Sequence, residues 1–235
     1  MDTVEKRLQA VKFRIQTAAR ASGRDPREIV LVAVSKTFPP EAIRAAHDAG
    51  QRDFGESYAQ EAIAKMEALR DLDLHWHFIG PLQSNKTRPV AERFDWVHSV
   101  DRIKVAERLS AQRPEGGGPL QVCVQVNLSG ESTKSGVPLA GAKSLAHAVA
   151  ALPHLALRGL MTLPEPTADE VRQRQRFGAL AALLDELRDE GLAVDTLSMG
   201  MSDDLEAAIA SGSTMVRVGT AIFGARPPAT AALDR

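Results

Sequence analysis

Lys36 is the residue of this chain whose type and setting most clearly suggest chemistry. It lies near the end of Ile29–Thr37, a short apolar run rich in β-branched residues, and Pro39 and Pro40 follow directly. Such a run between turn residues predicts a strand buried on both faces. A lysine at its carboxyl end would lie where parallel α/β folds place their chemistry. Apolar surroundings favour an uncharged amine, which forms Schiff bases with carbonyl compounds. The alternative is a solvated lysine that only ends a strand.

Two glycine-bearing loops late in the chain are candidates for binding a phosphate. They follow the seventh and eighth predicted strands, the positions where barrel folds often hold phosphate groups. Glycine lets backbone amides approach an anion closely, and a nearby helix N-terminus attracts one. We predict that Gly200 and Gly219 bring amides to the phosphate, and that Ser202 and Thr220 add hydroxyl donors. Alternatively, the glycines are ordinary turn residues and Ser202 caps a helix.

Arg217 is unusual because it lies within Thr214–Val218, a predicted strand that should be buried. A buried guanidinium requires partners. Met215, Arg217 and Gly219 share one face of the strand by alternation. If that face is the barrel interior, Arg217 points into the same mouth as Lys36. It would then pair with a carboxylate, a phosphate or a ring nitrogen, and the alternative is a structural ion pair inside the barrel.

The histidines at positions 75 and 77 lie two apart on one predicted strand. That spacing can bind zinc, but the sequence offers no convincing third ligand. We therefore expect packed or hydrogen-bonded histidines and no metal site. Cys123 lies in an apolar strand and is expected to be a small buried hydrophobe. Asn127 and the pair Met161 and Thr162, at the ends of two further strands, are candidates for the pocket wall.

The hydrophobic pattern alternates strands and helices along the chain, which implies a parallel sheet. Eight such units in 235 residues match a (β/α)8 barrel. We therefore expect one α/β TIM barrel domain over residues 1–235. An amphipathic helix over Val4–Ala21 precedes the first strand as an extra element, and we expect it to cover the barrel floor. The alternative is an open doubly wound sheet, although no G-x-G-x-x-G motif follows the first strand.

The composition is that of an ordinary globular protein, with 44% hydrophobic and 25% charged residues. A formal net charge of −1 gives no electrostatic reason to expect nucleic acid or a membrane as a partner. The N-terminal segment is charged and lacks the apolar core of a signal peptide. A single cysteine excludes a disulfide framework. We expect a cytoplasmic protein that acts as a monomer.

Five short motifs extend from the first predicted strand to the last. They are AVSKT at 33–37, FGE at 54–56, HFIGPLQ at 77–83, LSMGMS at 197–202 and VRVG at 216–219. Together they resemble the pyridoxal phosphate homeostasis proteins, and the likeness covers nearly the whole chain. The combination is specific, although no single motif is.

The resemblance implies a barrel like the N-terminal domain of alanine racemase, with pyridoxal 5′-phosphate held as a Schiff base on Lys36. It also implies that Ser202, Gly219 and Thr220 hold the phosphate. Arg217 resembles the arginine that faces the pyridine nitrogen in alanine racemase. A guanidinium cannot give up a proton to that nitrogen, so the ring would be a weak electron sink.

One position departs from the family motif. Members commonly have Gly-Glu-Asn-Tyr after the second strand, whereas this chain has Ser57 in place of the asparagine. Serine is shorter and lacks the amide. Ser57 is therefore a candidate ligand contact, but whether it replaces the contact of the asparagine is open.

The resemblance implies storage, buffering or delivery of the cofactor, with apo forms of pyridoxal phosphate-dependent enzymes as recipients and no defined reaction. One alternative is an amino-acid racemase of the alanine racemase type without the second domain. Alanine racemase brings a β-rich second domain and a tyrosine from a neighbouring subunit, whereas this sequence ends soon after its eighth strand and has one tyrosine, Tyr58. We therefore expect no catalytic residues. A second alternative is a Schiff-base aldolase acting on a sugar phosphate.

Overall fold

A computed structural model of the chain describes residues 3–129 and 135–225, in which strands and helices alternate. The strands are β1 (Val30–Val34), β2 (Asp53–Glu56), β3 (His75–Phe78), β4 (Trp96–Val100), β5 (Leu120–Asn127), β6 (Val137–Pro138), β7 (Leu155–Met161), β8 (Thr196–Ser198) and β9 (Met215–Val218). The α-helices are α1 (Val4–Ala21), α2 (Pro40–Asp48), α3 (Ala59–Ala68), α4 (Thr87–Arg93), α5 (Ile103–Gln112), α6 (Leu139–Ala150), α7 (Glu170–Asp189), α8 (Leu205–Ala210) and α9 (Thr220–Phe223).

Eight of these strands close into a parallel barrel. β1 pairs with β2 on one side and with β9 on the other. The ring continues through β3, β4, β5, β7 and β8, and the two-residue β6 pairs with β5. The predicted (β/α)8 barrel is confirmed. The alternative of an open doubly wound sheet is wrong, because the first and last strands are hydrogen-bonded neighbours.

The N-terminal helix has the predicted boundaries but lies beside the barrel rather than across its floor. Its buried stripe consists of Leu8, Val11, Ile15, Ala18 and Ala19. The helix packs against α8, α9 and α2. Arg7 Nε donates to the Ile222 carbonyl (2.7 Å), and Arg24 Nη1 donates to the Ser213 carbonyl (2.7 Å). Because the buried stripe runs along the full length of α1, the helix packs lengthwise against helices that surround the barrel. The expectation that α1 covers the barrel floor is therefore wrong.

Apolar side chains fill the layer between the strands and the helices. Phe54, Leu120 and Leu160 are fully buried examples from three strands. Cys123 is buried as predicted, and burial raises the pKa of its thiol to about 12, which keeps it protonated. Within the described ranges, no helix combines the length and apolar character needed to cross a membrane.

Candidate functional site

A cavity of about 590 Å³ opens at the carboxyl ends of the barrel strands. Its wall combines cationic, hydroxyl-bearing and apolar side chains. The lining residues are Arg14, Val34, Lys36, Ser57, Ile79, Leu163, Met201, Ser202, Asp203, Arg217, Gly219, Thr220 and Ala221. The fold therefore brings six of the seven predicted site residues together. The seventh, Gly200, precedes the lining residue Met201.

Lys36 lies in a tight turn two residues beyond β1, whereas the sequence predicted a strand that reached Thr37. The Phe38 amide donates to the Ser35 carbonyl (3.0 Å) and closes this turn. Thr37 has a φ of +69°, a left-handed conformation that is strained for a β-branched residue. Its amide donates to Glu61 Oε1 at 2.6 Å. A carboxylate on α3 therefore holds the strained turn that carries Lys36.

A buried lysine, Lys65, connects the same turn to the barrel. Its Nζ donates to the Ser35 carbonyl (2.8 Å), to Glu56 Oε1 (2.7 Å) and to Glu61 Oε1 (2.6 Å). The Ser35 hydroxyl also donates to Glu56 Oε1 (2.7 Å). Burial raises the pKa of Glu56, an effect that Lys65 and Ser35 oppose. The residues on both sides of Lys36 are thus bound to one ion cluster, which the sequence analysis did not find.

The loops predicted to bind phosphate meet an arginine that the sequence analysis also missed. Ser202, Gly219 and Thr220 line the cavity, and the first amides of α9 have no acceptor within their own helix. Arg14 of α1 lines the same cavity. Its Nη2 donates to the Ser202 carbonyl (2.9 Å), while its Nε donates to Glu206 Oε1 (2.9 Å). A guanidinium from the N-terminal helix, paired with Glu206, therefore holds the backbone of Ser202.

Gly200 shapes the loop that follows β8. Its φ is +100°, and a Cβ at this position would lie 2.6 Å from the Cβ of Ala208. Both the backbone conformation and the space therefore require glycine. The Gly200 carbonyl accepts a hydrogen bond from the Arg217 amide (2.9 Å). Gly200 thus positions the chain before Ser202 and lies behind the lining of the cavity.

Ser57 is positioned by a close backbone contact with Gly80. A Cβ on Gly80 would lie 2.3 Å from the Ser57 carbonyl oxygen, so any larger residue would displace the Ser57 backbone. Gly80 belongs to the HFIGPLQ motif, and its neighbour Ile79 also lines the cavity. The contact explains in physical terms why a glycine stands at this point of the motif.

Arg217 lines the cavity although it is only 3% exposed. Its Nη1 donates to Ser198 Oγ (2.5 Å), and its Nη2 donates to the Thr162 carbonyl (2.8 Å). Burial lowers the pKa of Arg217 to about 10, which leaves the guanidinium charged at neutral pH. Its hydrogen-bond acceptors are a hydroxyl and a carbonyl rather than a carboxylate. These bonds differ from the structural ion pair that was the alternative interpretation.

His77 lies in hydrogen bonds inside the barrel. Its Nε2 is 3.0 Å from Asp53 Oδ1, and its Nδ1 is 3.0 Å from His98 Nε2. Burial lowers the pKa of both histidines, and for His98 the nearby His77 and Arg217 lower it further. Both imidazoles are therefore neutral at pH 7. Among the described residues, no group of three or more histidines, cysteines and acidic residues is arranged to hold a metal ion.

Lowering the pH below about 6.5 should destabilise the protein through His77 and His98. Unfolded histidines take up protons near pH 6.5, whereas the folded pKa of both is lower. The stabilisation is therefore complete above that pH. It falls by about 1.4 kcal/mol per pH unit for each histidine as the pH drops towards the folded pKa. Denaturant unfolding between about pH 7.5 and pH 5 would measure this slope.

The matched comparison for this pH dependence is His98→Gln, which removes one of the two buried imidazoles. Glu56 acts with the opposite sign, because burial raises its pKa and favours the folded state at low pH. The difference between the two slopes therefore isolates His98. The native chain should lose more stability on acidification than the variant does. Equal slopes would contradict a neutral, buried His98.

Comparison with known proteins first defines the class. The profile of the alanine racemase N-terminal domain family matches residues 7–227. Alanine racemase from Corynebacterium glutamicum superposes with a TM-score of 0.69 at 19% identity, over 95% of this chain and 63% of that chain. At that identity the likeness concerns the fold alone. The chain is thus a parallel barrel of the type found in the N-terminal domain of alanine racemase.

More similar proteins then identify the family. The pyridoxal phosphate homeostasis protein of Pseudomonas aeruginosa is 59% identical over 226 residues, 96% of this chain and 97% of the relative. The Escherichia coli protein of the same name is 53% identical over 229 residues, 96% and 98% of the two chains. PipY of Synechococcus elongatus, solved with PLP bound, has a TM-score of 0.83 at 39% identity and covers 94% and 100%. The chain belongs to the pyridoxal phosphate homeostasis protein family, as its motifs predicted.

Proposed function

We propose that this protein binds pyridoxal 5′-phosphate (PLP) and serves its homeostasis by storing, buffering or delivering the cofactor. One observation carries the proposal: Lys36, Arg217 and the hydroxyls of Ser202 and Thr220 meet in a single cavity. Its volume of about 590 Å³ lies within the usual range for small-ligand sites. The names of the two relatives and the PLP-bound structure of PipY support the same role.

We propose that Lys36 would hold the cofactor covalently, through a Schiff base between its amine and the aldehyde of PLP. Val34, Ile79 and Leu163 provide apolar walls to the cavity that Lys36 lines. When bound, PLP supplies an electrophilic aldehyde on an electron-withdrawing ring.

The anionic end of the cofactor fits the other groups in the wall. We propose that Ser202 and Thr220 donate hydroxyl hydrogen bonds to the phosphate, with Gly219 permitting close approach of the backbone. Gly200 supports the loop that carries Ser202, and Arg14 holds the Ser202 carbonyl. Hydrogen bonds of this kind, to an ionised acceptor, are stronger than those between neutral groups.

We propose that Arg217 faces the pyridine nitrogen, and that Ser57 contributes a hydroxyl to the wall. Arg217 is a donor only, so it can hydrogen-bond to an unprotonated ring nitrogen without giving up its proton. The ring then withdraws electrons weakly. Such a cofactor is held and released more readily than it is used for carbanion chemistry.

The racemase alternative requires a second acid or base opposite the amine. The titratable side chains in the described lining are Arg14, Lys36, Asp203 and Arg217, and the arginines cannot exchange a proton at neutral pH. The remaining carboxylate, Asp203, directly follows Ser202 and so belongs to the loop proposed to hold the phosphate. Tyr58 is 59% exposed and lies outside this lining. We therefore propose that the protein is a carrier without a defined reaction of its own.

Replacing Ser202 with alanine should weaken PLP binding by roughly ten- to a hundredfold, because a hydrogen bond to a charged group contributes about 1.5–3 kcal/mol. Pyridoxal, which lacks the phosphate, should bind poorly to the native chain and lose little affinity in the variant. Fluorescence titration with both ligands measures the two effects. Equal losses for the two ligands would mean that Ser202 supports the fold rather than the phosphate.

Transfer of the cofactor tests the proposed function directly. The loaded protein is mixed with an apo-aminotransferase, and recovery of aminotransferase activity is followed beside free PLP at the same concentration. We expect measurable transfer, with negligible turnover of amino acids by the protein itself. Racemisation at ordinary enzymatic rates of about 1–1,000 per second, dependent on Lys36, would overturn the carrier role in favour of an enzyme.

The setting of this role is also part of the proposal. We propose a cytoplasmic monomer whose single domain spans residues 1–235, with apo-enzymes as recipients. The only cysteine, Cys123, is buried and protonated, so the fold does not depend on an oxidising compartment. Sedimentation of the purified protein would test the monomer.

A further inference from the structure

A continuous chain of hydrogen-bonded side chains crosses the barrel interior from its amino end to the cavity. It begins at Asp53, the first residue of β2, and passes through His77 and His98 to Ser198 and Arg217. The successive distances are 3.0 Å, 3.0 Å, 2.8 Å and 2.5 Å. His77, His98 and Ser198 are fully buried. The proposed cofactor role uses only the last member of this chain.

Asp53 and Arg217, the two ends of this series of hydrogen bonds, fix the direction of every hydrogen bond between them. Arg217 can only donate, and an ionised Asp53 can only accept. A neutral imidazole has one donor and one acceptor nitrogen. His77 must therefore donate from Nε2 to Asp53 and accept at Nδ1. His98 must donate from Nε2 to His77 and accept at Nδ1 from the Ser198 hydroxyl.

Ser198 acts as the hydrogen-bond acceptor for Arg217. Because the Ser198 proton is committed to His98, its oxygen accepts the hydrogen bond from Arg217 Nη1. Reversing the bond between the two histidines would require a second proton on His77, which is an additional charge in the barrel interior. Burial disfavours the Asp53 carboxylate, but its hydrogen bonds with His77 and His75 outweigh burial and lower the pKa of Asp53. An ionised Asp53 thus favours this one arrangement.

These hydrogen-bonded side chains also restrict rotation of the Arg217 guanidinium plane. Nη1 is held by Ser198, and Nη2 is held by the carbonyl of Thr162, which itself donates its hydroxyl to the Val126 carbonyl (3.0 Å). Two fixed acceptors, one in β8 and one directly after β7, leave the planar guanidinium little freedom to rotate. The orientation of the remaining N–H groups of Arg217, which lines the cavity, is fixed with them.

We propose that Asp53 is a positioning residue for the candidate cofactor site: through the tautomers of His77 and His98 it sets the Ser198 hydroxyl, and thereby the direction in which Arg217 presents its N–H groups. Asp53 is a quarter exposed at the amino end of the barrel, whereas the cavity opens at the carboxyl end. That Arg217 binds a ring nitrogen at the carboxyl end rests on the proposed function. The order of protons along the hydrogen-bonded side chains is independent of that function.

The first arm of the test measures the tautomers without any cofactor. Nitrogen-15 NMR of the histidine side chains distinguishes a proton on Nε2 from one on Nδ1. In the native protein, both His77 and His98 should carry the proton on Nε2. Asp53→Asn should shift both towards a mixture, because the asparagine amide can donate as well as accept. The matched control is Asp73→Asn, an exposed residue just before β3, and it should leave both signals unchanged.

The second arm measures the effect on Arg217 with two ligands. PLP is compared with 1-deazapyridoxal phosphate, in which carbon replaces the ring nitrogen. Asp53→Asn should weaken PLP binding by about two- to tenfold, because a misdirected Arg217 weakens its hydrogen bond to the ring nitrogen without removing it. The deaza compound should lose little affinity, because it offers Arg217 no acceptor. Ser198→Ala, which removes the acceptor next to Arg217, should show the same selectivity even if Asp53→Asn folds poorly. The double variant should not add to either loss.

A proton on Nδ1 of His77 or His98 in the native protein would overturn the proposed role of Asp53. Tautomers that do not change in Asp53→Asn would overturn it as well. Equal losses for the two ligands would reduce Asp53 to a structural residue and overturn its positioning role. If the native chain binds neither ligand, the proposed function fails. The tautomer arm would still test the order of protons.

Discussion

Replacing Lys36 with alanine should abolish the long-wavelength absorption that the protein gains when it is titrated with PLP. The band requires a Schiff base, and Lys36 is the lysine that lines the cavity among the described residues. The loss should be complete for this band, since no other group in the described part of the lining is a primary amine. Non-covalent binding through Ser202 and Thr220 should persist in part. An absorption titration of the variant with PLP measures both effects.

The control for this experiment is Lys104→Ala, which removes an exposed lysine from α5. That variant should develop the band at the same PLP concentrations as the native protein does. A band of normal strength in Lys36→Ala would show that another lysine reacts with PLP. The assignment of the cavity as the cofactor site would then be wrong.

Replacing Lys65 with methionine should cost about 3–5 kcal/mol of unfolding free energy, the range for breaking a buried ion cluster by removal of one partner. Methionine is similar in length, so little packing volume is lost. The change leaves Glu56 fully buried without its cation, and Glu61 loses its bond to Lys65. The turn that carries Lys36 also loses the bond to the Ser35 carbonyl. Urea unfolding at pH 7 gives the stability, and PLP titration gives the effect on the turn.

A second substitution separates lost charge from lost packing. Glu56→Gln in the Lys65→Met background removes the uncompensated carboxylate and should restore part of the stability. Lys104→Met is the surface control and should change stability by less than about 0.5 kcal/mol. A cost below about 1 kcal/mol for Lys65→Met would place the cluster among ordinary surface ion pairs and contradict its described role.

The residues at the cavity that could be predicted are those that depend on strand order alone. Alternation of strands and helices predicts a barrel, and a barrel fixes which strand ends meet at its mouth. Lys36 and Arg217 were placed in one mouth on this basis, and the loops with Ser202 and Thr220 followed. Each of these residues lines the observed cavity.

The residues that could not be predicted depend on packing between distant elements. Arg14 reaches the cavity because α1 lies against α8, a contact that hydrophobic periodicity does not specify. Lys65 is buried only because α3 carries it beside Glu56 and the turn after β1. On a helix, a lysine normally indicates the exposed face. Glu56 is the last residue of β2. The rule that functional residues lie at the carboxyl ends of parallel strands would therefore have identified Glu56 as a candidate.

The chain of buried polar groups shows a second limit of sequence reasoning. His77 was correctly expected to be hydrogen-bonded, but its partners lie 21 and 24 residues away in sequence. The contact between His98 and Ser198 spans 100 residues. Only barrel closure and the register of the strands bring them together. The end of β1 was also misplaced, because the left-handed Thr37 depends on Glu61, which the local sequence does not reveal.

Reduction of the PLP-loaded protein with borohydride, followed by peptide mapping, tests the central claim most directly. Borohydride converts a Schiff base into a stable secondary amine and so marks the lysine that held the cofactor. We predict one pyridoxyl group per chain, on the peptide that contains Lys36 in its turn after β1. A modified peptide that lacks Lys36, or no adduct at all at saturating PLP, would contradict the account.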